Sequence, residues 1–286
     1  MRHFILTRFN LLLWNKDKKG NLVRTKKWLE HRFSLFEKYC LPSIANQTCK
    51  TFEWIVLFDS STPEIYKERI EKYQQICPQL APVYVNPMGG RYFAQIFRDE
   101  VVKRLDSNEN HNENEKRVIT TYLDNDDALD IRFVEDIQKR VVNLPDGTFF
   151  NYTSGYQFFT DYNYVMRIRF PRNHFMSVVE NGNPSAVKTI YGYGSHYYIG
   201  KLDGVRIVKV IDAPMWCEVI HEKNMGNDAY FLFGAKMIGN TGLLKQHFAI
   251  DEDVCSGFTL YTFRFLPRYF KTFIRRIGYF FFGRHW

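Results

Sequence analysis

Residues 120–129 read Thr120-Thr121-Tyr122-Leu123-Asp124-Asn125-Asp126-Asp127-Ala128-Leu129, with three aspartates inside four positions. The run RVITTYLD (117–124) leading into them is β-branched and aromatic, the pattern of a buried strand. The carboxylates therefore sit at a strand's carboxyl end, where open α/β sheets bind ligands. Carboxylates crowded at a strand end repel one another unless a cation is present. A hard divalent ion, Mg2+ or Mn2+, held by one or two of them and completed by substrate phosphate oxygens, is the economical explanation. An EF-hand loop starting at Asp124 fails, because Ala128 and Leu129 stand where an oxygen ligand and a glycine are required. The plainer alternative is a solvated turn in which Asp126 or Asp127 caps the next helix.

Upstream of this loop the chain alternates. HFILTRF (3–9) reads as a short buried strand. Lys26 to Ala45 reads as a helix, with Leu29, Phe33, Phe36 and Cys40 on one face and Pro42 interrupting near its end. EWIVLFD (53–59) is a second strand, and Thr62-Pro63-Glu64 opens a second helix. APVYVN (81–86) is a third strand, and a turn at Pro87-Met88-Gly89-Gly90 leads into a helix over 92–105. The polar stretch 106–116 reads as a surface insertion, and a fourth helix is expected over 131–142. This strand–helix alternation predicts an α/β fold with a parallel sheet. From 148 the pattern changes. TFFNY, GYQFFT and YVMRIRF read as three separate strands of a mixed or antiparallel extension. VRIVKVI (205–211) reads as one more strand, and 228–238 as a helix.

Composition narrows the function. The chain of 286 residues is 45% hydrophobic and 17% aromatic, enough to bury a large core without disulfides or metal, so a disordered chain is excluded. No run of 18 apolar residues is present, and the amino-terminal segment reads as a strand and not as a signal peptide. The net charge of +8 is local. Residues 264–286 hold six of the 39 Lys and Arg and no acid, which leaves 33 basic against 31 acidic residues elsewhere. A nucleic-acid-binding protein spreads its cations over a groove in the body, so no nucleic-acid partner is expected. Five scattered cysteines without a CxxC read as reduced thiols of a cytoplasmic protein.

In order and spacing, HFILTRFN, RFSLFEKYCLPSIANQT, EWIVLFDSSTP, TTYLDNDDAL and the late MWCEVIHEKN together resemble nucleotide-sugar-dependent glycosyltransferases of the GT-A fold. More narrowly they resemble the bacterial "putative rhamnosyltransferase" family, over roughly residues 1–230. The resemblance implies a GT-A-like sheet flanked by helices. A nucleotide-sugar-binding half covers 1–147, an acceptor-side half 148–262 and a basic aromatic tail 263–286. It places the nucleotide base and ribose at Thr7, Arg8 and Asp59, and turns Arg98 toward the diphosphate. Asp124 is expected at the ribose or a metal-bound water. Asp126 is expected on the metal, Mn2+ or Mg2+, with His221 closing the metal site. Asp127 joins the catalytic set as a partner of those ligands.

The expected chemistry is transfer of a sugar from a nucleoside diphosphate donor to a glycan or lipid-linked glycan. It passes through an oxocarbenium-like transition state, with inversion. An acceptor hydroxyl needs a base. The candidates are Glu180, Glu218 and Asp228, with Glu180 first because SVVENGNPS (177–185) puts a carboxylate between an apolar run and a loop. Tyr191, Tyr193, Tyr197 and Tyr198 are candidates for stacking on sugar faces, or else core. Continued as a helix, the tail has Phe270, Phe273, Ile274, Ile277 and Phe281 on one face and Arg268, Lys271 and Arg275 opposite. That is the pattern of an interfacial helix on the cytoplasmic face of the inner membrane, the alternative being a helix docked on the body. Two other functions compete with this one. A nucleotidyltransferase needs a Gly-rich phosphate loop near the first strand, which TRFNLLLWNKDKKG (7–20) lacks. A non-catalytic carbohydrate-binding protein would keep the fold with a relic site.

Overall fold

The computed structural model describes residues 1–13, 22–23, 25–106, 117–161, 163–221, 236–239, 242–254 and 274. The first half alternates as expected. Strand β1 (Arg2–Arg8) is followed by α1 (Lys26–Leu35), a π-helical turn (Phe36–Cys40) and α2 (Leu41–Ala45). Then come β2 (Glu53–Asp59), α3 (Glu64–Ile76), β3 (Leu80–Val85), a 3-10 turn (Pro87–Tyr92), α4 (Phe93–Asp106) and β4 (Arg117–Tyr122). The wide turn accommodates Pro42. It closes with Leu41 N donating to Phe36 O, five residues back, so the helix continues through a residue that lacks an N–H.

The second half contains β5 (Ala128–Leu129), α5 (Phe133–Arg140), β6 (Thr148–Phe159), β7 (Tyr164–Arg169) and β8 (Met176–Asn181). Two short helices, α6 (Thr189–Gly192) and α7 (His196–Ile199), precede β9 (Arg206–Ile220), β10 (Lys236–Ile238) and α8 (Leu243–Phe248). Three sequence expectations change here. TFFNY and GYQFFT are one 12-residue strand, because Gly155 does not turn the chain. It lies flat under the indole of Trp216, where any Cβ would collide with the ring. The strand begun at VRIVKVI runs on through MWCEVI to Ile220. Within the expected helix over 228–238, residues 236–238 are a strand, paired antiparallel with β7; the remainder lies outside the described residues.

The sheet runs β10-β7-β6-β8-β4-β1-β2-β3, with β9 beside β6 and β5 beside β9. β4, β1, β2 and β3 are mutually parallel; β8, β7 and β10 join antiparallel, and β6 and β9 run parallel to each other. The fold is thus an α/β sheet, parallel in its first half and mixed in its second. β6 pairs with β8 through Asn151 and with β7 from Ser154 on, and the irregularities in its β9 ladder fall at this change of partner, between Tyr152 and Ser154 and between Ser154 and Tyr156. Bulges bend a strand, and these lie where β6 passes from one neighbour to the other within a single continuous sheet.

Strand side chains alternate between faces. Ile5, Trp54, Val56 and Phe58 pack on the face covered by α1, the π turn, α3 and α5. Phe4, Leu6, Ile55 and Leu57 pack on the other, beneath α4, α6 and α7. Among the described residues no helix is long and apolar enough to cross a membrane. The tail lies outside the described residues except for Ile274, which is exposed.

Candidate active site

In the parallel part the chain steps outward from β1 to β2 to β3, then returns to the other side of β1 with β4. The carboxyl ends of β1 and β4 therefore flank the point where strand order reverses, which opens a crevice. Arg8 closes β1 there and Tyr122 closes β4. The loop after β4 is tied across the crevice. Leu123 N donates to Leu6 O (3.2 Å) and the Asn125 amide donates to Phe9 O (2.7 Å).

Each aspartate of this loop has its own partners. Asp124 Oδ1 accepts from the Tyr122 hydroxyl (2.9 Å) and lies 3.4 Å from an Arg8 nitrogen. Its side chain is 29% exposed. Asp126 Oδ2 is 3.0 Å from both Arg32 Nη1 and His221 Nε2. Burial alone would raise the Asp126 carboxyl, but Arg32 and His221 overrule it and hold it well below the usual carboxylate range. Asp127 is fully buried; its Oδ1 accepts from Val219 N (2.8 Å) and its Oδ2 is 2.8 Å from His174 Nε2. Burial and the charge of Asp126 push Asp127 up. Burial would lower His174, but the Asp127 carboxylate reverses that and raises it. The two hold a proton between them at a pH where a free imidazole has lost its own. Crowding is thus relieved by the protein's own groups, with Arg8 beside Asp124, Arg32 and His221 on Asp126, and His174 on Asp127.

Asp124, Asp127 and His174 nevertheless converge, with one ligand atom from each within 4.8 Å of the others. Two carboxylate oxygens and an imidazole suit Mn2+, and the partly exposed Asp124 leaves one side open to substrate oxygens. The residues fit a divalent ion. Binding one requires His174 to give up its proton.

Among the described residues, one cavity adjoins the end of β4 and another lies beyond β1 and β2. The first, of about 310 Å³, lies at the switch point between Arg8, Phe93, Tyr122, His174, Tyr191 and His196. The Arg8 guanidinium stands 4.7 Å from the Phe93 ring centre, 5.5 Å from Tyr122 and 5.3 Å from Tyr191. Burial disfavours its charge, but Tyr122, Tyr191 and Asp124 more than restore it. Burial and the neighbouring His174 push His196 down to about 4, so it stays neutral. The second cavity, of about 630 Å³, lies beyond β1 and β2 between Asn10, Lys26, Ser61, Thr62 and Tyr66.

The residues expected from sequence divide accordingly. Arg8, Asp124, Asp126, Asp127 and His221 meet at the loop. Asp126 and His221 are bonded to each other, and Asp124 is the aspartate that shares a convergent group with Asp127. Thr7 faces the core, accepting from the Trp54 indole (2.9 Å). Asp59 is buried and folds the following turn, accepting from Ser61 N (2.8 Å) at the edge of the second cavity. Arg98 donates to Val187 O (2.9 Å) and is not in the cavity wall. Glu218 is buried against the Gln157 amide (2.6 Å), and Asp228 lies outside the described residues. Glu180 is at the wrong end of the sheet for a base. It pairs with Val118, six residues before Asp124, or about 20 Å at about 3.3 Å per strand residue. Of the tyrosines, Tyr191 is buried in the cavity wall, whereas Tyr197 and Tyr198 are exposed. Arg32, His174, His196 and Tyr122 are not singled out by sequence. Only Tyr122 carries a signal there, as the last residue of the strand before the loop.

A family model described as "Putative rhamnosyl transferase" matches residues 3–231. The chain belongs to this family. The matched span holds every residue of the acidic loop, its partners and both cavities, and ends before the basic tail. No curated protein matches the sequence. Among solved structures, S. aureus TarS 1–349 is similar at TM-score 0.41 and 13% identity, covering 77% of this chain and 60% of that one. The same fragment in complex with UDP gives 0.41, 13%, 77% and 61%. S. aureus TarS gives 0.38, 12%, 77% and 37%. The chain thus spans about three fifths of the TarS fragment's length.

Proposed function

We propose that the protein is a metal-dependent, inverting glycosyltransferase that moves a sugar, rhamnose by its family, from a nucleoside diphosphate to a glycan or lipid-linked glycan. The observation that carries this reading is the convergence of Asp124, Asp127 and His174 beside Arg8 at the switch point of the sheet. The base and ribose of the donor occupy the larger cavity beyond β1 and β2. The diphosphate lies across the acidic loop, and the sugar enters the smaller chamber. Asp124, Asp127 and His174 would hold the divalent ion, Mn2+ or Mg2+, which would supply positive charge to the diphosphate leaving group.

Arg8 adds a fixed positive charge inside an aromatic wall, where low dielectric strengthens it. Phe93, Tyr122 and Tyr191 exclude water that would otherwise hydrolyse the donor. The acceptor oxygen attacks C1 from the face opposite the diphosphate. The C1–O bond breaks, the nucleoside diphosphate leaves with the electron pair, and the acceptor's proton passes to a ring nitrogen of His196. That imidazole is neutral in the free protein, and the anionic donor raises its proton affinity as it binds.

Thermal shift with Mn2+ and a nucleoside diphosphate tests the reading. Stabilisation by the two together, lost in Asp124→Asn, supports it, and no shift with any nucleoside diphosphate refutes it. The tail, with its basic and aromatic faces, is assigned to the cytoplasmic face of the inner membrane. Co-sedimentation with anionic but not neutral vesicles, abolished on removing residues 263–286, is the expected result.

A further inference from the structure

Glu180 lies far from the acidic loop, yet it is buried and both of its oxygens are engaged. Oε1 accepts from Lys188 N (2.9 Å) and the Tyr193 hydroxyl (3.1 Å); Oε2 accepts from Thr189 N (3.0 Å). A carboxylate that takes two successive backbone N–H groups is a mould for a chain reversal. The residue it moulds is strained. Thr189 has φ +65° and is completely buried, and a β-branched side chain rarely adopts the left-handed region. The next amide, Ile190 N, donates to Thr120 Oγ1 (2.8 Å) and fastens the segment to β4.

Directly after this turn the chain forms the far wall of the smaller chamber. Tyr191 stacks on Phe97 (4.9 Å, 5°), leans on Tyr122 (4.8 Å) and stands under the Arg8 guanidinium. His196 then lines the chamber with its ring 5.9 Å from that of His174. The wall belongs to a segment of two four-residue helices, too short to hold their own place.

We propose that Glu180 is a positioning residue, whose carboxylate holds the Thr189 turn and thereby sets where Tyr191 and His196 stand against Arg8 and the acidic loop. This rests on the glycosyltransferase reading for its consequence in catalysis, though not for the clamp itself. Glutamine is nearly isosteric, but its amide nitrogen donates, so Glu180→Gln sets a donor against one of the two backbone N–H groups. Thr189→Gly removes the Cβ that makes the turn unfavourable, so the turn then needs the mould less.

The experiment combines hydrogen exchange with kinetics on the full chain. In E180Q, exchange at residues 188–196 rises by about tenfold while β1 and β4 stay protected. The affinity for Mn2+ plus nucleoside diphosphate stays within about twofold, while kcat for sugar transfer falls by about tenfold. Adding T189G to E180Q recovers most of both losses. Unchanged exchange in E180Q overturns the proposal. So does exchange that rises across the whole sheet with loss of nucleotide binding, since that marks a residue serving global stability alone. If the unaltered protein transfers no sugar, the glycosyltransferase reading falls, and the exchange pattern still decides the clamp.

Discussion

At the scale of single residues, Asp124 and Asp126 belong to the same five-residue loop and do different work. Asp126 is 8% exposed and shares one oxygen between Arg32 and His221. Removing one partner of a buried charge strands the other. Arg32→Met is expected to cost about 3 kcal/mol in urea denaturation, because Asp126 then keeps only His221. Asp124→Asn is expected to cost less stability than Arg32→Met, since Asp124 is 29% exposed and stands at 3.4 Å from Arg8, which keeps its aromatic neighbours, while abolishing metal-linked nucleotide binding. A protein in which both changes cost equal stability would contradict this division. His3 gives a separate prediction. It is buried, with Nε2 2.8 Å from Thr121 Oγ1, and burial pushes it down to about 3. Below about 6.5 the unfolded chain binds a proton that the folded chain refuses, so stability is lost as pH falls toward 3. Its contribution is a loss of about 1.4 kcal/mol per pH unit below 6.5. His3→Gln, which keeps a polar partner for Thr121, should flatten that slope in denaturation curves between pH 7 and 5.

At the scale of elements, the first half was legible because each strand and helix carries its own periodicity. Leu29, Phe33, Phe36 and Cys40 are buried on one face as the spacing requires, and Pro63 precedes α3. The misread elements are those where a distant side chain overrode a local signal. Gly155 reads as a turn because glycine usually breaks strands, but here it is needed by an indole 61 residues away in sequence. Trp216 is fixed over it by stacking on Phe175 (4.9 Å, 7°) and by donating to Tyr152 O (2.7 Å). Gly155→Ala is therefore expected to destabilise the protein by at least about 2 kcal/mol. Trp216 fluorescence and thermal unfolding check it together. An unchanged Tm would mean that the ring can move aside and that β6 does not depend on this approach.

At the scale of the whole molecule, the site is assembled from pieces that no local pattern connects. The loop at 124–127 announced itself, because three aspartates at a strand end are rarely idle. Its partners did not. Arg32 comes from a helix 94 residues earlier, His174 from 47 residues later, and His221 from 95 residues later. Sequence located the carboxylates and expected the ion at Asp126 and His221; the folded chain bonds those two to each other and brings Asp124, Asp127 and His174 together. The return of β4 beside β1 is what brings Arg8 and Asp124 together, and the passage of 189–199 over β4 is what closes the chamber. The division of labour among the aspartates is open to one direct measurement. Anomalous diffraction at the manganese edge, from crystals grown with Mn2+ and a nucleoside diphosphate, should show a single peak within ligand distance of Asp124, Asp127 and His174. A peak between Asp126 and His221, or none in the crevice while the nucleotide is bound, would contradict it.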